Sequence, residues 1–324
     1  MDKEELRGKL LEARQQYILK NANRLDKIKP YWNSNQTDPQ SEKFWENFSP
    51  YIEFCDSKNK ELNDLWWYGR VTVSSAPLSG EVGRRIHYLI KDSTTGFILG
   101  IVGLASDLTI PIRDKHIGWS LENKWKGKRI NYLMNVQHCV ATPEFSRYLT
   151  GKLCAMSTLS EEVQSHFENK YGHPLAAMTV TSLYGKSSMY NRLKGFDYLG
   201  TTKGFSSVLI PLEVKQQMRE DFKAKKGKYS EIYYNEDGSV KERYGVVKGY
   251  QKLGKYGKVQ SIENFRGVYV IPLATNWKEF LREEADDLDL TERKKFGIIV
   301  EDWKDRWFYP RKERLESGEL NNCS

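Results

Sequence analysis

Residues 84–104 read RRIHYLIKDSTTGFILGIVGL, and this stretch decides the fold. Two runs rich in β-branched, aromatic and aliphatic residues, Ile86–Lys91 and Phe97–Leu104, flank Asp92-Ser-Thr-Thr-Gly96, the spacing of a hairpin loop. The second run is apolar throughout, so both of its faces are expected to be covered.

Outward from this hairpin, residues 130–142, INYLMNVQHCVAT, read as a further buried strand. Pro143 and Ser146 open a long helix broken near Thr158. Leu159, Val163 and Phe167 then fall at i, i+4 and i+8 on one helical face that ends at Tyr171-Gly172. Leu175–Thr181 supplies the next strand. Residues 70–210 therefore run strand, strand, strand, helix, strand, helix, strand, which is α/β with a mixed sheet. A strand is also expected at Gly69–Ser74, and a polar loop at Thr109–Asp114. Val180–Gly204, VTSLYGKSSMYNRLKGFDYLGTTKG, reads as a strand, a turn at Gly185 and a helix start dense in polar groups, with a second turn-rich piece at 200–204. Unpaired N–H groups at such a helix start favour anions, although Ser187 and Ser188 equally suit simple caps.

Toward the N-terminus, Leu6, Leu10, Ala13, Tyr17 and Leu25 follow a 3.6-residue spacing that Pro30 ends. Residues 31–60 carry Trp32, Phe44, Trp45, Phe48, Tyr51 and Phe54, read as a helical patch on the core. Toward the C-terminus, Glu213–Lys228 reads as a basic helix and Asn235-Glu-Asp-Gly238 as a hairpin turn. Arg266–Leu273 is a strand with Pro272 at an edge or end. Asn276–Glu284 and Thr291–Arg306 read as helices, and the last residues as a frayed polar tail. The resulting division is an N-terminal helical, aromatic-rich segment over 1–67, an α/β core over 68–212 and a basic, Tyr-rich extension over 213–324.

The chain has 324 residues, 39% hydrophobic and 29% charged, and no run of apolar residues long enough to span a bilayer. Its start is a charged amphipathic helix rather than a signal sequence, and four cysteines without pair spacing fit a reducing, cytoplasmic setting. Fifty-one basic against 43 acidic residues give +8. The excess is concentrated between Lys215 and Lys258, where twelve Lys/Arg face six Asp/Glu and six tyrosines are interleaved. Cations that track phosphates beside aromatic faces that accept bases suit nucleic acid, and a solvated basic hairpin is the alternative.

Other chemistries fit poorly. Gly185-Lys186-Ser187 mimics the end of a P-loop, but Val180 stands where its first glycine belongs. The five histidines and four cysteines lack ligand spacing, so no metal is expected from them. Glu283-Glu284-Ala-Asp286-Asp287-Leu-Asp289 suits a solvated face better than a Mg²⁺ site.

The element order resembles the acetyltransferase-like (Gcn5-related) fold, with a mixed sheet flanked by helices. In that superfamily a phosphate-cradling Gly-x-Gly loop opens the helix that follows the strand. The matching stretch here holds Ser146, Thr150, Gly151 and Lys152, with Leu149 in place of the first glycine. The resemblance implies an acyl-coenzyme-A-like or other phosphate-containing donor at those residues.

A second resemblance covers nearly the whole chain. Gly83-Arg84-Arg85 with Tyr88-Leu89-Ile90-Lys91-Asp92, Arg113-Asp114-x-x-Ile117-Gly118-Trp119, Asn135-Val136, Gly151-Lys152-Leu153 and Lys170-Tyr171-Gly172 occur in order. They are followed by Thr181-Ser182-x-x-Gly185-x-Ser187-Ser188-x-Tyr190-Asn191-Arg192-Leu193, Gly204 and Asp305-Arg306-Trp307-x-x-Pro310-Arg311. This pattern is similar to the DruA family of Druantia anti-phage systems, relatives of which occur with transposases and in phages. Thr201 stands where an aromatic is expected, and Phe205-Ser206 replaces a Trp-Gly pair.

That resemblance implies DNA as partner, together with other defence-system or transposition proteins, and no membrane. A weaker likeness to Mom-type phage enzymes implies modification of a flipped adenine, which needs a base, hydrogen-bond donors and a phosphate clamp. On that reading Asp114 is the base, while Ser187, Ser188, Tyr190 and Asn191 serve the reacting groups. Arg85, Arg113, Trp119 and Arg192, with Lys226, Lys228, Tyr233, Lys248 and Lys255, contact nucleic acid. A non-catalytic DNA binder and a metal-dependent cleaving or transposition factor are the alternatives.

Overall fold

The computed structural model describes residues 3–32, 42–76, 78, 83–107, 109–125, 127–204 and 264–320. The chain divides into two compact units, residues 1–16 with 203–265 and residues 17–202 with 266–324. In the first, the described residues include the start of helix α1 (Lys3–Lys20), where Lys9 pairs with Glu5 one turn away. The basic, Tyr-rich segment with Lys226, Lys228, Tyr233, Lys248 and Lys255, its helix and its hairpin lie outside the described residues.

The second unit is built on a seven-stranded mixed sheet. Its strands are β1 (Pro50–Phe54), β2 (Arg85–Asp92), β3 (Ile98–Ser106), β4 (Leu133–Ala141), β5 (Ala177–Ser182), β6 (Asp197–Gly204) and β7 (Asn264–Pro272). They lie in the order β1-β2-β3-β4-β5-β7-β6. Strands β1 to β4 are antiparallel, β4 and β5 are parallel, and β5 and β7 are antiparallel. The parallel pair requires a crossover, supplied by α7 (Pro143–Ser146), α8 (Thr150–Ser157) and α9 (Glu161–Tyr171).

The β2–β3 hairpin forms as its sequence dictates. Gly96 sits at φ +74°, where a side chain would be strained. The buried Asp92 carboxylate accepts from the Thr95 amide (2.9 Å), the Thr95 hydroxyl (2.7 Å) and the Ser49 amide (2.8 Å). Nearly every side chain of β3 is buried, as its unbroken apolar run requires. Helix α9 starts at a Ser160 cap and ends at Gly172, φ +78°, with Val163 and Phe167 in the core.

Several elements differ from the sequence reading. Gly69–Ser74 is not a strand: after α2 (Ala22–Ile28) and α3 (Glu42–Glu46), Lys60–Thr72 forms helix α4, started by the Asn59 side chain accepting from the Leu62 amide. Leu62, Leu65 and Trp66 pack one face of α4 on β2 and β3, and the Trp66 indole donates to the Val102 carbonyl. The aromatic patch of 31–60 contains a strand, β1, paired Pro50 to Asp92 through Phe54 to Tyr88. Thr109–Asp114 is no loop throughout, because Pro111–Ile117 forms helix α5, followed by α6 (Leu121–Trp125). Residues 187–193 form turns rather than a helix, since Arg192 takes a left-handed φ of +63° that interrupts helical hydrogen bonding. The expected turn at 200–204 is strand β6; Pro272 stands at the end of β7, the second of its two expected places, and β7 is internal to the sheet. The C-terminal helix starts later than expected, as α11 (Phe296–Trp303) following α10 (Trp277–Leu281). A π-helical turn (Lys304–Phe308) joins it to α12 (Tyr309–Glu316), whose last turn reaches into the polar tail.

Strands β4 and β5 pair only from Leu133↔Ala177 to Val136↔Val180. Beyond Val136 they part, and Gln137 is the extra residue of a β-bulge between the Leu104↔Val136 and Gly103↔His138 pairs. One sheet face packs the main core, including Val136, Met178, Val180, Tyr269, Phe167 and Trp303. The opposite face carries Thr179 and Val270, the alternate residues of the same strands.

Candidate nucleic-acid interface

Three motifs far apart in sequence converge at Trp307. Lys152, in the first turn of α8, is 5% exposed and donates to the carbonyl oxygens of Ser188 (2.7 Å), Met189 (3.1 Å) and Asn191 (3.0 Å). All three ammonium protons are thereby used in tying down the 188–191 turn. Gly151 admits that turn, because a Cβ there would sit 3.1 Å from the Met189 sulfur. Trp307, on the π-helical turn, covers the group from outside. Its ring centroid lies 4.2 Å from Lys152 Nζ, 5.3 Å from the Arg192 guanidinium and 5.1 Å from that of Arg306. Such distances allow cation–π attraction, and π-helical turns recur at functional sites.

The cluster is electrically one-sided. Burial, then the Arg192 and Arg306 guanidiniums, push the Lys152 ammonium down to about 8. Among the described residues neither exposed arginine has a carboxylate partner. Other cations of this segment do: Lys304 pairs with Glu301 (2.9 Å) and Lys312 with Glu316 (3.1 Å). Nearby, Arg311 donates to the carbonyl of the exposed Arg147 (3.0 Å). Unopposed guanidiniums at a surface attract phosphate and carry a fork that binds it in two places.

Tyr269 of β7 secures the turn from inside. Its hydroxyl accepts from the Ser187 amide (2.8 Å) and donates to the Asn191 side-chain oxygen (3.1 Å). Tyr190, 7% exposed, stacks toward Tyr269 at 5.3 Å and Phe196 at 5.9 Å. The Cys139 thiol of β4 lies close enough to act on its hydroxyl. Burial, with that thiol, raises the Tyr190 phenol well above its ordinary value.

The expected site residues therefore separate into two groups. Ser187, Ser188, Tyr190, Asn191, Arg192, Gly151 and Lys152 come together beside the main core. Asp114, Arg113 and Trp119 lie on the opposite sheet face, because Thr179 points there and Val180 and Tyr269 point here. Asp114 is therefore apart from Ser187, Ser188, Tyr190 and Asn191, the residues it was expected to act with. Arg113 is fully buried and bonds Asp107 through one nitrogen, Asp114 (2.6 Å) through another, and Thr179 at 3.2 Å. Asp114 also accepts from Lys124 at 2.5 Å. Among the described residues two carboxylates and two cations thus meet inside, which holds α5 and α6 to the strand ends. Enclosed in this network, Arg113 offers no guanidinium to a phosphate outside. Trp119 lies 5.7 Å from both Arg113 and Lys124. Arg85 is exposed at the start of β2, with its carbonyl accepting from Lys170 and Tyr171.

The residues expected to cradle a phosphate donor do not fit one. Ser146 donates to Pro143 O (2.8 Å), the buried Thr150 donates to Phe145 O (2.9 Å), and Lys152 is saturated by carbonyls. In the acidic run, Arg282 bonds both oxygens of Glu284, at 2.8 and 2.6 Å. No group of three or more possible metal ligands occurs among the described residues.

Sequence reasoning missed Tyr198, Tyr269 and Gln137, and quoted Arg306 and Trp307 without giving them a site role. The Asp305-Arg306-Trp307 motif was the signal available for the last two. A bulge at Gln137 leaves no mark in its hydrophobic pattern. The Gln137 side-chain oxygen is buried at the parting of β4 and β5 without a hydrogen-bond partner.

Comparison with known proteins follows the motifs. The family described as "Druantia protein DruA" matches residues 1–283. Druantia protein DruA of Escherichia coli (strain UMEA 4076-1) is 28% identical over 332 residues, covering 95% of this chain and 78% of that protein. No solved structure matches the chain significantly.

Proposed function

This chain belongs to the DruA family, and on that premise we propose that it is a DNA-binding component of an anti-phage defence system, holding phosphates on the surface around Trp307. The observation that carries this reading is the meeting of Lys152, Arg192 and Arg306 at one indole, with no carboxylate opposing the two arginines among the described residues. Phosphate contacts supply most of the sequence-independent affinity for DNA. Other proteins of the defence system are its expected partners. No described helix is long and apolar enough to cross a membrane.

A base-modifying transferase is the second reading. It is favoured by the sheet, whose antiparallel strands, helical crossover and parallel β4–β5 pair suit an acetyltransferase-like reading. The bulge at Gln137, with its unpaired oxygen, lies where such a sheet opens. Bulges recur beside active sites. On this reading Asp114 requires a rearrangement to act as base, since Arg113 and Lys124 already hold it.

Fluorescence anisotropy with a labelled oligonucleotide tests the proposal. Replacing Arg192 and Arg306 together by alanine weakens binding at least tenfold, while Lys312→Ala, which removes a cation already paired with Glu316, leaves it unchanged. Equal binding by all three proteins would reject it.

A further inference from the structure

We propose that Tyr198 is a base-stacking platform next to the Trp307 cluster, which makes single-stranded nucleic acid the preferred ligand; this rests on the phosphate-binding role given to that cluster. Tyr198 lies on β6, the last strand in the sheet order, and is 37% exposed. It is the outermost of three tyrosines. Its ring centroid lies 5.0 Å from that of Tyr269, which lies 5.3 Å from that of Tyr190. Both inner rings are buried and the Tyr269 hydroxyl is hydrogen-bonded to Ser187 and Asn191, so the outer ring rests on a rigid base.

Two observations give this exposed ring a ligand. First, Lys186 Nζ lies 5.3 Å from the Tyr198 centroid, placing a cation beside an aromatic face. Second, the Tyr269 ring behind Tyr198 carries the hydroxyl that pins Ser187 and Asn191, the residues leading into Arg192. Platform and guanidinium are therefore fixed to one support. The intervening segment, residues 183–196, holds Lys186, Arg192 and Lys194 and no Asp or Glu. Cations that follow a backbone beside an aromatic on which bases stack are the features of single-strand binding. A duplex keeps its bases stacked on one another and offers none to Tyr198, so it gains from the cations alone.

The test compares a labelled oligothymidine, an abasic strand of equal length and a duplex, with the wild type, Tyr198→Phe, Tyr198→Leu and the Arg192→Ala/Arg306→Ala protein. Tyr198→Leu keeps an apolar cover over Tyr269 without an aromatic face, and circular dichroism checks that it folds. The expected result is tighter binding of oligothymidine than of duplex by the wild type and by Tyr198→Phe. Tyr198→Leu loses about five- to 150-fold on oligothymidine, the range for one stacked base, and little on the abasic strand or duplex. If Tyr198→Leu binds oligothymidine like the wild type, or weakens on all three ligands alike, the platform is refuted while the cation cluster stands. If the double arginine variant binds every ligand as the wild type does, the cluster reading fails first and the platform falls with it.

Discussion

Replacing Lys152 by methionine tests how the turn bearing Arg192 is held. The substitution keeps most of the volume under Trp307 and removes three donors from the carbonyls of Ser188, Met189 and Asn191. Each carbonyl left without a partner in a buried place costs about 1–3 kcal/mol. Opposing this, the ammonium is disfavoured by burial and by Arg192 and Arg306, which push it down to about 8. Removing it relieves that repulsion. Three lost bonds outweigh one relieved charge, so we expect a net loss of about 2–4 kcal/mol. Urea unfolding followed by tryptophan fluorescence measures this as a lower midpoint at unchanged slope. The pH dependence has a definite sign. The unfolded lysine titrates near 10.5 and the folded one near 8. Between those values the unfolded chain holds more protons, so the wild type gains stability relative to Lys152→Met as pH rises from about 8 toward 10.5. A variant within about 0.5 kcal/mol of the wild type would refute the carbonyl tie. A stability gap that stays level over that window and narrows only above pH 10.5 would show that the carbonyls, rather than burial, govern this lysine.

Further outcomes follow from the packing and the site. Gly267→Ala drives a Cβ into the Gly185 carbonyl, where backbone meets backbone; a loss of about 3 kcal/mol or more in unfolding free energy is expected, and a neutral result would contradict the close approach. Asp107→Ala removes one of the two carboxylates that the fully buried Arg113 pairs with among the described residues, and calorimetry is expected to show a loss of about 3–5 kcal/mol. Mass spectrometry of nucleosides from cells expressing the chain separates the two functional readings. A new adenine derivative supports the transferase, and unaltered nucleosides alongside DNA binding support the binder.

Much of the sheet was legible because its signals are local. The β2–β3 hairpin announces itself through Asp92–Gly96, and α9 through Ser160, Gly172 and the Val163–Phe167 spacing. What failed depended on distant partners. Gly69–Val73 is rich enough in β-branched residues to suggest a strand, yet Trp66 inserts toward Val102 and Gly69 packs against the Trp32 ring, contacts available only to a helix. Tyr51–Phe54 became a strand because β2 offered an edge. For the site, Lys152, Asn191 and Arg192 belong to motifs with separate roles in the sequence reading, and the fold brings them together. Asp114 was grouped with them because sequence does not show which sheet face a residue serves. That depends on register at Thr179 and Val180, fixed by pairing with β4 and β7.

The central claim, that Arg192 and Arg306 at Trp307 bind nucleic-acid phosphates, is tested most directly by the salt dependence of binding. The logarithm of the association constant falls linearly with that of salt concentration, by about 0.7 per neutralised phosphate on a single strand and 0.9 on a duplex. The account predicts that the Arg192→Ala/Arg306→Ala protein has a slope shallower than the wild type by about 1.4 on single strands and about 1.8 on duplex DNA. Parallel slopes for the two proteins would contradict it.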